Sequence, residues 1–354
     1  MKSNREAAGR GRHIPLTIVC GPSATGSTSL VTHLVTQNTG GRVAAVFADL
    51  PDAFLDPAVM ERRDGDVVVL RGGGVCCRGS AKPDEVLLEL AGREPPPEHV
   101  VVEVGAGPRG TPSPRRILGY GYTPGYRPDG VVAVVDPATA IALAEDESQR
   151  TEVVEQLHAA NVVVLDGTHT VSRPVASAAH RWVRSVAKDA TVVWSGERGI
   201  AAPLLLGVSP ERADADDRMD VEWSVDFVPQ DRSDGEWGRS ANSFDASEYR
   251  SWRLHGRTVG ARDFRRWAAE LPDWIVRASG TVALREMPGT LYDFRRFGSH
   301  WDLEPRRPQD GAAPSTSLVL IGLAPPRRSK SRSEQPQVVA VGPIVARGEP
   351  HDSR

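Results

Sequence analysis

The residues best suited to chemistry lie near the start of the chain, in the stretch Pro15 to Thr28, PLTIVCGPSATGST. Gly21 and Gly26 flank four residues, and Ser27 and Thr28 follow directly. Small residues at this spacing, between an apolar strand and an amphipathic helix, let backbone N–H groups converge on anionic oxygens at the positive end of a helix. The pattern is the frame of a phosphate-binding loop, G-x-x-x-x-G-K-[ST], with Ser27 in the lysine position. Thr28 keeps the hydroxyl that suits Mg²⁺. Losing the ammonium removes a charge-assisted contact worth roughly 1.5–3 kcal/mol, or about one to two decades of affinity. Two readings stand level here: a weak nucleotide-binding loop, and a plain turn from strand to helix. Fast hydrolysis is disfavoured, because charge stabilisation is most of what such a site gives phosphoryl transfer.

Other candidates are acids at strand ends and a cysteine pair. Asp49, Asp56 and Glu103 end or follow apolar runs, where α/β folds present groups to ligands. Glu103 is placed to orient a water or a metal-bound water, whereas Asp56 reads more simply as a cap or a solvated loop residue. Cys76 and Cys77 are vicinal, and thiolates with imidazole favour Zn²⁺. A closed site wants four ligands, so the pair needs help from Cys20 or a histidine; the other reading is two small buried hydrophobes. Asp166 and His169 follow the apolar run Asn161 to Leu165. An imidazole at 169 cannot give the bidentate carboxylate contact that reads a guanine edge, and sites missing such a partner lose large factors.

The elements that must carry these residues alternate. Apolar runs at 16–20, 42–48, 66–70, 100–103, 130–136, 161–166 and 190–194 predict strands. Helical spacing is predicted over 28–37, 84–91, around 138–143, 152–159 and 174–187. That alternation implies a doubly wound, mostly parallel α/β sheet over 14–206, with the Gly-rich loop at a strand's C-terminal end. Periodicity then fails, and Asp, Arg, Ser and Gly accumulate over 207–248, which reads as a linker. A smaller α+β domain is expected over 249–324, from strands at 249–255, 274–284, 290–296 and 317–323 and a helix at 261–271. Trp252, Trp267, Trp274 and Trp301 suit its core or an interface. Residues 1–13 read as a loose arm, and 325–354 as a basic, Pro/Ser-rich disordered tail.

Composition bounds the rest. A chain of 354 residues, 40% hydrophobic and with net charge −3, is long enough for two cores. It carries no bulk charge signal for DNA, and no apolar run approaches the ~20 residues of a membrane span. The basic N-terminus lacks the apolar stretch of a signal peptide. With three cysteines no disulfide framework is expected, which points to a reducing, cytoplasmic setting.

Together these landmarks resemble the CobW family, the metal-chaperone branch of P-loop GTPases that also includes HypB and UreG. RVAAVFADLPDAFLD (42–56) is similar to the family strand ending in an Asn-Glu pair, with Ala48 and Asp49 there. LRGGGVCC (70–77) resembles the metal motif L-x-N-G-C-x-C-C, with Gly74 at its first cysteine. Glu103 matches the acid of E-x-x-G, while Ala106 replaces its glycine. DGVVAVVD (129–136) is a close match. ANVVVLDGTHT (160–170) occupies the place of the guanine reader, with Asp166, Gly167 and His169 for Asn, Lys and Asp. Residues 253–280 resemble the CobW C-terminal domain, with Gly260 and Ser279 where it carries His and Lys.

The resemblance implies a nucleotide site from Gly21, Gly26, Ser27, Thr28, Asp49, Asp166 and His169, with Glu103 as a weak catalytic candidate. It implies metal at Cys76 and Cys77. The cofactors implied are GTP, weakly bound or lost, Mg²⁺ if nucleotide binds, and Zn²⁺. The expected role is zinc homeostasis, through a metal-receiving client protein. One branch of the family implies an alternative: a zinc-responsive adaptor that recruits a ribosome-hibernation factor without nucleotide turnover.

Overall fold

The structure is a computed structural model, described here for residues 13–22, 24–37, 42–48, 67–70, 83–104, 113–207, 217–220, 246, 249–306 and 315–323. Asp49, Asp56, Gly74, Cys76, Cys77, Ala106 and the tail arginines lie outside the described residues.

Seven parallel strands form the first sheet: β1 (Ile14–Cys20), β2 (Val43–Ala48), β3 (Val67–Leu70), β4 (His99–Val104), β5 (Tyr126–Val135), β6 (Val162–Leu165) and β7 (Thr191–Trp194). Their order is β3-β2-β4-β1-β5-β6-β7. Strands buried on both faces need near-continuous apolar sequence, and the runs HVVVEV and VVVL supply it. Helices cover both faces. On one lie α2 (Pro83–Ala91), α3 (Pro114–Leu118), α4 (Ala140–Glu145), α5 (Glu147–Ala159) and α6 (Arg173–Val186), whose buried residues share a core with Ile18, Val102 and Val163. On the other, α1 (Ala24–Thr36) and α7 (Ala202–Leu206) pack over Val19, Val101, Val132 and Val164.

The second sheet has six strands: β8 (Asp217–Asp220), β9 (Tyr249–Gly256), β10 (Ile275–Ala283), β11 (Leu291–Phe297), β12 (His300–Arg306) and β13 (Thr316–Leu323). They run in the order β12-β11-β10-β13-β9-β8. All pairings are antiparallel except β8 with β9. One face is covered by α8 (Ala261–Glu270), whose Phe264, Trp267 and Ala268 are buried. Phe264 meets Phe294 edge-on, with ring centroids 4.9 Å apart. Trp267 is core, and Trp252, Trp274 and Trp301 pack against that core partly buried.

The sheet's other face contributes Val276, Phe297, Val319 and Ile321 to the core over α1 and α7, so apolar packing joins the two sheets. Gly130 is required at this junction. A Cβ there would stand 2.4 Å from the Phe297 ring.

Two strands depart from the expected pattern. β8 falls inside the stretch read as a linker, and β12 went unmarked. Both are edge strands: DRMD has one apolar residue, whereas HWDLEPR alternates polar with apolar residues, its Trp301 and Leu303 packing against the core.

Candidate functional site

β1 ends at Cys20, and α1 begins at Ala24. The helix therefore starts four residues earlier than the sequence spacing suggests. Gly26, Ser27 and Thr28 lie inside its first turns, not in an open loop. Gly26 within a helix costs about 1 kcal/mol relative to alanine, and Gly21 is held by close contact. A Cβ at Gly21 would stand 2.6 Å from the Val134 carbonyl oxygen of β5, and one at Gly26 would stand 3.3 Å from Val134 Cγ1. Both glycines thus let α1 lie close on β5, whatever they do for a ligand.

Glu103 is the centre of the site. It is the penultimate residue of β4, paired in register with Val19 of β1, and it is fully buried. Ser27 Oγ and Thr28 Oγ1 each donate to the same carboxylate oxygen, Oε1, at 2.7 Å. Oε2 is buried and has no hydrogen-bond partner among the described residues. Burial pushes this carboxyl above the ordinary carboxylate range, and the two hydroxyl hydrogen bonds only partly offset that. Two hydroxyls and a carboxylate are an oxygen donor set, which fits a hard cation such as Mg²⁺. The α1 N-terminus still offers N–H groups to an anion. Yet Ser27, where a lysine would reach phosphate, turns its hydroxyl to Glu103.

The expected base-reading residues sit apart from this pair. Asp166 follows β6, half-buried, with its backbone N–H donating to the Val135 carbonyl at 2.9 Å. His169 is exposed on a single 3₁₀ turn, Thr168–Thr170. Thr168 Oγ1 donates to the Ser195 carbonyl at 2.8 Å, tying the loops after β6 and β7 together. An exposed imidazole there does not fit the guanine contact. Asp49 and the cysteine pair lie outside the described residues. Cys20 is buried in the core, its Sγ faces the Val132 carbonyl at 3.7 Å, and burial pushes its thiol up to about 12. Among the described residues no group of three or more His, Cys, Asp or Glu side chains is placed to hold a metal ion.

A second polar cluster lies on the same face of β4, four residues before Glu103. Thr17 Oγ1 stands 2.8 Å from His99 Nε2 and donates to Asp129 Oδ2 at 2.9 Å. Arg127 and Arg277 Nη1 donate to Asp129 Oδ1 at 3.3 and 3.2 Å. Sequence reading missed this cluster. Its signal was a polar residue at a similar level in each of three adjacent apolar strands, at Thr17, His99 and Asp129.

Residues 15–194 match the CobW/HypB/UreG nucleotide-binding domain. "Zinc chaperone CobW" of a Sinorhizobium species is 26% identical over 225 residues, which are 55% of this chain and 62% of that protein. "Zinc chaperone CobW" of Pseudomonas aeruginosa is 23% identical over 231 residues, 56% of this chain and 60% of that one. The chain thus spans less than two thirds of the length of either curated relative. Among solved structures, the Zn(II)-bound YjiA GTPase from E. coli aligns over 89% of this chain and 96% of its own, at 17% identity and a TM-score of 0.40. No helix among the described residues is long and apolar enough to cross a membrane.

Proposed function

The chain belongs to the CobW/HypB/UreG nucleotide-binding domain family, and from that membership we propose that it acts in zinc homeostasis with a nucleotide site that has lost most of its grip. It binds nucleoside triphosphate weakly, with Mg²⁺, and with little preference between guanine and adenine. Its cargo is zinc, held by the Cys76–Cys77 segment and passed to a client protein. The relatives named zinc chaperones support the metal role.

The observation that carries the weakened site is Ser27. Its hydroxyl is bonded to Glu103, and its short side chain leaves no ammonium for phosphate. Losing one charge-assisted contact removes about one to two decades of affinity. His169, an exposed imidazole in place of the acceptor, removes the base contact. Calorimetric titration of the wild-type chain with GTP and ATP in Mg²⁺ tests the reading. Weak binding of both to a similar degree supports it, whereas tight, GTP-selective binding sinks it.

A further inference from the structure

Six large apolar side chains stand exposed among the described residues, and four of them lie on one helical layer of the first sheet. They are Leu88 of α2, Tyr122 of the 3₁₀ turn Gly119–Tyr122, Ile141 of α4 and Val175 of α6. Tyr122 is the most open, at 79%. The second sheet packs on the opposite face, with α1 and α7, and leaves these four side chains open to solvent. The layer's charges alternate in the order in which its helices cross the sheet. α2, which joins β3 to β4, carries Asp84, Glu85 and Glu89 and no base. α3, packed on β1 and β5, carries Arg115 and Arg116 and no acid. α4 and α5 follow, with Glu145, Glu147, Glu152 and Glu155 against Arg150. α6, packed on the edge strand β7, carries Arg173, Arg181 and Arg184 and no acid. Burial, with the Arg184 and Arg181 guanidiniums adding to it, holds His180 of that helix below the ordinary histidine value.

We propose that this layer is the contact face of a homodimer, with a second copy of the chain as the partner. Acid, base, acid, base across the layer is a pattern that complements itself when reversed. A two-fold axis parallel to the strands, over the middle of the layer, reverses it. α2 of one copy then lies on α6 of the other, and α3 lies on α4 and α5. A two-fold axis across the strands would lay each helix on its own copy, like charge on like, so the charge order selects the first arrangement. Leu88 is thereby brought to the helix that carries Val175, and Tyr122 comes near the axis. Apolar and aromatic anchors supply most of the binding energy in such contacts, while the charges set the register. Seven strands about 4.8 Å apart make the layer about 29 Å wide. That is close to the width of a standard interface of about 800 Å² per partner. α1 lies on the opposite face of the sheet, so the dimer forms without nucleotide or metal.

Sedimentation velocity of the full, reduced chain, without nucleotide or metal, tests the surface. Wild type is expected to dimerise at micromolar concentration in about 0.1 M salt. It should do so less in about 1 M salt, where the Debye length falls from about 10 to about 3 Å. Two charge-reversed variants follow: Asp84→Lys with Glu89→Lys on α2, and Arg173→Glu with Arg181→Glu on α6. Arg184 is left alone because it donates to the Ala190 carbonyl at 3.1 Å and stands 3.8 Å from Asp273. Each variant by itself is expected to lose at least about tenfold in dimer affinity. Mixed in equal amounts, the two are expected to recover it, since positive α2 and α6 of one then face negative α6 and α2 of the other. Thermal unfolding checks the fold of each. Tyr122→Ser, which changes no charge, is expected to weaken association as well, and it decides if a reversal does not fold. A wild-type chain that stays monomeric, or whose association is indifferent to salt, overturns the proposal. So does a reversed variant or Tyr122→Ser that dimerises like wild type, or a mixture that recovers nothing.

Discussion

Arg277 of β10 closes on Asp129 of β5, joining the second sheet to the first through a buried ion pair. Nη1 donates to Oδ1 at 3.2 Å, while Nη2 donates to Oδ2 and to the Leu205 carbonyl. The guanidinium also lies 4.0 Å over the centre of the Phe297 ring. Burial alone would raise the pKa of Asp129, but the Arg277 and Arg127 guanidiniums hold it well below the usual carboxylate range.

Without Arg277, buried Asp129 loses its two-pronged partner and keeps only Arg127 and Thr17 as donors among the described residues. Arg277→Ala is expected to destabilise the chain by roughly 3–5 kcal/mol in urea unfolding. Wild-type stability in Arg277→Ala would show that the sheets are held by apolar packing alone.

The same cluster makes the fold acid-sensitive. Burial lowers His99 to about 3, the nearby Asp129 opposing this and Arg277 and Arg127 adding to it. The ordinary histidine value is about 6.5, so between these limits the unfolded chain binds more protons than the folded one. Stability is then full above pH ~6.5 and falls on acidification towards pH ~3, with Asp129 adding its own loss below its ordinary carboxylate value. Urea midpoints measured from pH 7.5 to 4.5 are expected to fall steadily. His99→Gln is expected to flatten that slope, and an unchanged slope in the variant would assign it to other groups.

Arg296 plays a comparable part within the second domain. Its Nε donates to the Gly298 carbonyl at 2.7 Å, Nη1 to Ala268 at 3.3 Å and Nη2 to Leu271 at 3.0 Å, so it satisfies carbonyls at the end of α8. Burial lowers it to about 10, still charged at neutral pH. Arg296→Met keeps the stem but strands those carbonyls, at a cost of at least about 2 kcal/mol. Lys is expected to recover only part of it, since one ammonium cannot span the fork. Differential scanning calorimetry checks the order wild type, Lys, Met.

Most of the first sheet was legible because fully buried parallel strands require uninterrupted apolar runs, and VVAVVD or NVVVLD can hardly be anything else. Glu103 was legible for the converse reason, as an acid inside such a run. The early start of α1 was not: Ala24, Thr25 and Gly26 have no apolar period and include a glycine, so spacing favours a loop. Nor were the partners of Asp129, because Arg277 is 148 residues away and only folding brings them together. β8 escaped because DRMD has no apolar pattern to read, whereas β12 carries a readable alternation in Trp301 and Leu303.

Zinc binding by Cys76 and Cys77 is expected to release protons, because both thiols must ionise. Apparent affinity measured by chelator competition should therefore rise with pH. Gly74→Cys adds a third thiolate and should tighten binding, whereas Cys76→Ser with Cys77→Ser should abolish it and leave the circular dichroism spectrum unchanged. If neither the reduced wild-type chain nor Gly74→Cys takes up zinc, the metal role fails.

The most direct test of the account is calorimetric titration of wild type and Ser27→Lys with GTP and ATP in saturating Mg²⁺. The account predicts that Ser27→Lys gains about one to two decades of affinity for both nucleotides alike, with selectivity unchanged because His169 remains. A wild-type chain that already binds GTP tightly and selectively, with nothing gained from the lysine, would contradict it.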